Sequence, residues 1–315
     1  MKKLFTFFIL LLSFNLSAAN YYWVGGSGNW TDINHWRTTS GGSALPSVIP
    51  GPTDNVFFDA KSGFTAASKT ITIDNTANCH NITFSGSVVA PMLTQSGNQT
   101  LNIYGSSEWQ TDMGTISVNN IYYRHTGEAK TIKSNGVTTG GYYLYFEEEN
   151  SISLLDDFIS AFYFYQYAGT WNTNNHKVTI NREYNSLDSQ LKPSIVNLGS
   201  SQIYVKHVYG NFNTRSSYTT VNAGTSHIHF TEINNNGYGI RADPRQTYYD
   251  VTVEGPLGSI VGGAKFNRVE FKGNGSFQGA NTFKELILAP TKTYMFESGL
   301  TQTITNLFSA NTPQC

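Results

Sequence analysis

Short pieces of alternating character, with outer positions of one kind and the middle of another, recur along this chain at a steady distance. They are Ile71-Thr72-Ile73, Ile82-Thr83-Phe84, Leu101-Asn102-Ile103, Ile121-Tyr122-Tyr123, Tyr143-Leu144-Tyr145 and Val178-Thr179-Ile180, then Ile203-Tyr204-Val205, Ile228-His229-Phe230, Val251-Thr252-Val253, Val269-Glu270-Phe271, Leu286-Ile287-Leu288 and Ile304. Alternation at period two marks strands with one buried face. From Ile82 to Tyr143 and from Val251 to Ile304, successive pieces begin about 17 to 22 residues apart, and a fixed period of that size marks a stacked repeat. About twenty residues make one turn of three short strands and their corners, so the expected fold is all-β, a right-handed parallel β-helix. The competing architecture is a β-sandwich, whose strands recur every 8 to 12 residues or so; a second strand-like piece within each repeat fits that spacing too. Looser spacing from Arg182 to Pro193 and from Asn234 to Gln246 predicts loops leaving the stack, with Arg241-Ala242-Asp243-Pro244-Arg245 as loop text.

Composition agrees. Aromatic and β-branched residues suit pleated strands, while Gly and Asn supply the turns. Only 13% of residues are charged and the formal net charge is −1. Nucleic-acid partners need a basic surface that exchanges counterions with phosphate, and none is visible. Residues 1–19 have the layout of a secretory signal: basic Lys2 and Lys3, apolar Leu4 to Leu12, and small Ser17-Ala18-Ala19. Cleavage after Ala19 would start the mature chain at Asn20 and leave it without a membrane span, as a secreted or cell-surface protein. The two cysteines, Cys79 and Cys315, fall at opposite ends of the predicted stack, which disfavours a disulfide between them.

Residues 20–60 precede the repeats of 61–315 and have their own character. Trp23, Trp30 and Trp36 stand among Gly25, Gly26 and Gly28, and Pro46, Pro50 and Pro52 lead into Val56-Phe57-Phe58. Aromatic rings in a Gly/Pro frame suit a cap over the open end of a β-stack, whose edge otherwise exposes unpaired backbone groups. The run Tyr22-Trp23-Val24-Gly25-Gly26, Gly28-Asn29-Trp30, His35-Trp36, Asp54-Asn55-Val56 and Phe58-Asp59 resembles the N-terminal region of large secreted, adhesin-like proteins of Bacteroidota. So do Asn78-Cys79-His80-Asn81, Gly169-Thr170-Trp171, Leu198-Gly199-Ser200-Ser201 and Ala223-Gly224-Thr225-Ser226. The resemblance implies an extracellular β-helix associated with type IX secretion, and carries no catalytic residue set. Such proteins run longer and end in a sorting domain, so the stop at Cys315 reads as a C-terminal truncation of the repeat region.

Three groups are candidates for chemistry. Phe162-Tyr163-Phe164-Tyr165-Gln166-Tyr167 alternates, which would turn Phe162 and Phe164 inward and Tyr163, Tyr165 and Tyr167 outward. With Trp171 four residues on, these tyrosines are the candidate binding surface, either a glycan-stacking platform or a stabilising ladder. His227 and His229 share a strand face, but a zinc site needs a further ligand and the sequence nominates none; Asp250 or Glu232 would serve only by accident of the fold. Glu147, Glu148, Glu149, Asp156 and Asp157 would serve a lyase only by converging with a base such as Lys177 or Arg182. No Gly-x-Ser-x-Gly elbow or phosphate-binding Gly-Lys-Ser/Thr occurs. The expectation is a non-catalytic, adhesin-like surface protein that needs no metal or cofactor and displays loops and aromatics to glycans or surface proteins. The alternatives are a polysaccharide lyase or glycoside hydrolase on the same β-helix, or a carbohydrate-binding module.

Overall fold

The computed structural model describes residues 18–310 apart from 115, 148 and 187–191. Most of the signal segment, Glu148 and Cys315 therefore lie outside the described residues. The chain is all-β and winds into a parallel β-solenoid of about 11 turns.

Three faces make up the coil. The first carries ten described strands, from Asn20–Trp23 to Thr219–Asn222. The second carries eleven, from Ala77–Cys79 to Tyr294–Phe296. The third carries nine, from Thr138–Thr139 to Thr303–Ala310. A three-stranded sheet of Gly28–Asn29, Thr70–Ile73 and Met92–Gln95 leads into this third face through the Thr94–Ser117 bridge.

Within each strand the inward positions stack on their counterparts one coil away. On the second face Ile121, Leu144, Phe164, Tyr184, Phe212, Ile240, Ile260 and Phe277 form one buried column. On the third face Val178, Ile203, Ile228, Val251, Val269 and Leu286 form another. Burying each such side chain contributes about 1.5–3 kcal/mol, so the columns hold the coils together. Tyr143-Leu144-Tyr145 has the opposite parity to the pieces around it: Leu144 is the buried member and both tyrosines face out.

The coil changes section along its length. Register partners lie 20 residues apart from Tyr143 to Tyr163 and from Tyr163 to Glu183, but 17 apart from Leu257 to Asn274. The first face stops at Thr219–Asn222, and the later coils alternate between the second and third faces alone. Gly262 makes the shortened corner with φ of 121°, a backbone state L side chains rarely adopt, and a Cβ there would overlap the Ala242 carbonyl oxygen. The loop expected between Asn234 and Gln246 is mostly strand: Asn234–Ala242 pairs on both sides, with a register shift between Asn234 and Gly239. Only Asp243 to Gln246 forms a turn, closed by the Gln246 amide on the Asp243 carbonyl. At the other predicted loop Glu183–Ser186 is strand, and 187–191 are not described.

At the N-terminal end Trp36–Arg37 pairs antiparallel along the outer edge of Asn20–Trp23. Trp23, Trp30 and Trp36 are fully buried and pack edge-on, with Trp36 centroids 5.0 Å from each of the other two. Their indoles offer no exposed ring to a sugar. Cys79 is also buried, unpaired, and its thiol is pushed up by burial, which leaves it inert. No helix of the described residues is long and apolar enough to cross a membrane.

Candidate functional site

Outward positions of the second face stack in register as well, and there the chain places its tyrosines. One column holds Tyr143 and Tyr163, followed by Glu183. Beside it runs a column of Tyr122, Tyr145 and Tyr165, followed by Asn185. Tyr167 continues outward past the end of Tyr163–Gln166. Six phenols therefore tile three successive coils. Ring centroids are 4.2 Å apart for Tyr122 and Tyr145, 5.2 Å for Tyr143 and Tyr163, and 5.5 Å for Tyr145 and Tyr165. Burial against one another raises the Tyr145 and Tyr165 phenols above the usual range, so both stay protonated.

In-register stacking decides which ring surface faces solvent. Tyr122 lies between Tyr145 and the Arg124 guanidinium, whose carbon is 4.0 Å from the ring centroid. Tyr163 lies between Tyr143 and Arg182, the latter at 4.6 Å. Those rings present edges and hydroxyls outward. Tyr165 differs: its next neighbour in the column is the small Asn185, with no ring or guanidinium stacked on that side.

Trp171 does not belong to this surface. Ala168 and Gly169 turn the corner, with Gly169 at φ of 73°, so Trp171 falls on a first-face strand and points inward. It is fully buried, 4.7 Å from Phe164 and 5.2 Å from Tyr184 between centroids. Phe162 also departs from expectation. It precedes the strand, is only half-buried, and packs on Tyr142 and His207 at the corner.

The described acids of the set that would test an enzyme reading, Glu147, Glu149, Asp156 and Asp157, do not converge. Glu147 pairs with Arg124, and Glu149 with Lys192. Asp156 accepts the backbone N–H groups of Ser134 and Asn135, while Asp157 accepts that of Lys177. Each carboxylate holds a corner or a neighbouring coil. Lys177 instead sits over Tyr204 on the third face, 5.1 Å from its centroid.

His227 and His229 do share the outward side of the third face, with rings 3.8 Å apart. His227 Nε2 meets Thr252 Oγ1 at 2.8 Å; His229 meets Glu254 and Gln202, each at 3.0 Å. Burial, then the neighbouring His229, lowers the His227 pKa. Asp250 accepts from Asn267 instead, and Glu254, one coil away, is the carboxylate that reaches the pair. The described residues contain no group of three or more His, Cys, Asp and Glu side chains that could hold a metal ion.

A groove of about 390 Å³ on the first face is lined by Asn55, Phe57, Asn81, Thr83, Glu108 and Lys133, the last two paired at 2.7 Å. Sequence reasoning missed it because its lining comes from successive coils. No protein family, curated protein or solved structure matches the chain.

Proposed function

We propose that the chain is an exported, non-catalytic surface protein whose solenoid holds the tyrosine tile of the second face against glycans. The signal-like residues 1–19 and the adhesin-like opening segment support the address. One observation carries the contact surface: Tyr163 and Tyr165 lie outward in register with Tyr143 and Tyr145, Tyr145 stacks on Tyr122 in turn, and Tyr167 lies outward just past the strand. A rigid aromatic plane with phenol hydroxyls at its edge pairs with a sugar, which has an apolar C–H face and a polar rim. Held in place before binding, such a plane gives up little conformational freedom on contact.

The test is a glycan array probed with the purified chain, alongside fractionation of cells expressing it. The expected result is retention on a subset of glycans that Tyr163→Ala and Tyr165→Ala together abolish while the fold is kept, with the chain found outside the cytoplasm. A chain that binds no glycan, or binds equally well without both tyrosines, defeats the reading.

A further inference from the structure

At the far end of the tyrosine tile the second face turns basic. Beyond Tyr165 the outward column continues through Asn185 and Asn213 to Arg241. Arg182 lies over Tyr163 and also within 5.2 Å of the Phe162 centroid and 5.8 Å of Tyr209. Arg215 emerges, exposed, just past Asn211–Thr214.

These arginines differ from others in the chain. Arg124, Arg245 and Arg268 each hold a carboxylate, whereas no ion pair among the described residues involves Arg182, Arg215 or Arg241. The Nε atoms of Arg182 and Arg241 are moreover buried with no hydrogen-bond partner among the described residues. A buried N–H of a cation left unbonded is unfavourable, and neither guanidinium is neutralised by an ion pair from within the fold. Among the described residues Glu183 is the carboxylate that Arg182 and Arg241 both face, and its Oε1 accepts from Asn185 Nδ2 at 3.0 Å. With Glu232 nearby at His207, three guanidinium groups still outnumber the described carboxylates at this corner, on a chain whose overall charge is slightly negative.

We propose that this corner binds an acidic polysaccharide, with Arg182, Arg215 and Arg241 taking its carboxylate or sulfate groups, Tyr165 packing on a sugar ring and Tyr163 offering its hydroxyl edge. The assignment rests on the glycan-contact reading above and names the class of glycan. A guanidinium offers a planar fork of donors that matches both oxyanions, and its flat face packs on aromatic rings as Arg182 does here. The tile supplies the ring contact, while the unpaired charges select among polymers.

The full chain is run in affinity electrophoresis against polygalacturonate, dextran sulfate and neutral dextran. At least one acidic polymer should retard it about tenfold more than dextran does, the gain expected of one charge-assisted bond. Retardation should fall steeply with salt. Polygalacturonate and dextran sulfate separate carboxylate from sulfate as the preferred group. Arg182→Gln with Arg241→Gln should remove the acidic preference, while Arg268→Gln, on the third face, should leave it intact. Glu183→Gln keeps an acceptor for Asn185 but removes the opposing charge, so it should bind the acidic polymer several-fold more tightly, a gain that lost structure cannot mimic. Equal retardation by dextran overturns the acidic assignment and leaves the glycan reading standing. Absence of retardation by both acidic polymers, or no gain from Glu183→Gln, also overturns it.

Discussion

Gly224 tests whether the corners, and not only the buried columns, hold the solenoid's register. Asn172, Asn197 and Asn222 stack in register, with Asn197 and Asn222 each donating an amide N–H to the preceding carbonyl oxygen at 2.6 and 2.7 Å. Two residues on, Asn174, Gly199 and Gly224 turn the corner with φ of 51°, 55° and 58°. The Thr225 amide then donates to the Gly199 carbonyl at 2.7 Å, which draws the Gly224 backbone down onto the coil beneath. A Cβ on Gly224 would overlap that carbonyl oxygen, whereas one on Gly199 would meet only the movable side-chain oxygen of Asn175. Left-handed backbone costs an alanine about 1–2 kcal/mol at either position. Loss of freedom in the unfolded chain returns about 0.4–1 kcal/mol of that. Overpacking against fixed backbone adds about 1–3 kcal/mol at Gly224 alone. Gly224→Ala should therefore destabilise by about 2–4 kcal/mol and Gly199→Ala by about 1 kcal/mol. Urea unfolding of both variants, with matched slopes, measures the difference. Equal midpoints for the two, or a Gly224→Ala loss below about 0.5 kcal/mol, would refute the stacked-corner argument.

Trp171→Ala should cost about 3–5 kcal/mol of stability, because a fully buried indole is removed from contact with Phe164 and Tyr184; chemical denaturation reads this, and a binding defect without a stability loss would contradict the inward placement. Acidification should weaken the fold through His227. Its folded pKa lies below the ordinary value, so the unfolded chain takes up a proton first and stability falls as pH drops through about 6.5; His227→Gln should flatten that slope in urea titrations from pH 7.5 to 5. Alkali acts through two opposed sets. Burial lowers the Lys130 pKa to about 8, so its contribution to stability grows from there toward the unfolded lysine value. Tyr123, Tyr184 and Tyr248 are raised by burial, so above about pH 10 the unfolded chain loses protons that the fold keeps and stability drops. A midpoint that declines steadily from pH 8 to 10 would contradict the lysine assignment. At the last described strand, Thr303–Ala310, Ile304, Leu307 and Phe308 are exposed beside an edge that no described strand pairs, so in this chain Ile304→Lys with Phe308→Lys should reduce self-association in sedimentation velocity.

Period-two alternation and the near-twenty spacing made the solenoid legible before any coordinates, because each coil must bury the same kind of inward residue above its neighbour. What alternation cannot report is the phase after a corner. Gly169 resets it, which is why Trp171 lies in the core although Tyr163, Tyr165 and Tyr167 were placed outward correctly. Earlier corners act in the same way: Tyr143-Leu144-Tyr145 follows the corner at Gly140, and Phe162 precedes its strand at another. Asn234–Ala242 read as loop because the repeat spacing loosens there, yet both its edges find hydrogen-bonding strands, and a register shift between Asn234 and Gly239 absorbs the extra residues.

The surface chemistry was harder to read than the core for a related reason. Every cluster that matters on the outer faces is a column, assembled from residues one coil apart, and on the second face the interval varies from 17 residues (Leu257 to Asn274) to 28 (Glu183 to Asn211). A variable interval hides the partner: Glu254 for His229, Asn185 for Tyr165, Arg241 for Asn213. It also separates two roles that look identical in sequence. A tyrosine followed one coil later by an aromatic or an arginine spends its ring faces on the stack and adds rigidity. A tyrosine followed by asparagine has no ring or guanidinium stacked on that side. Tyr165 is in the second position and Tyr122 in the first, so the two should respond oppositely: Tyr122→Ala should lower stability more than glycan retention, and Tyr165→Ala should do the reverse.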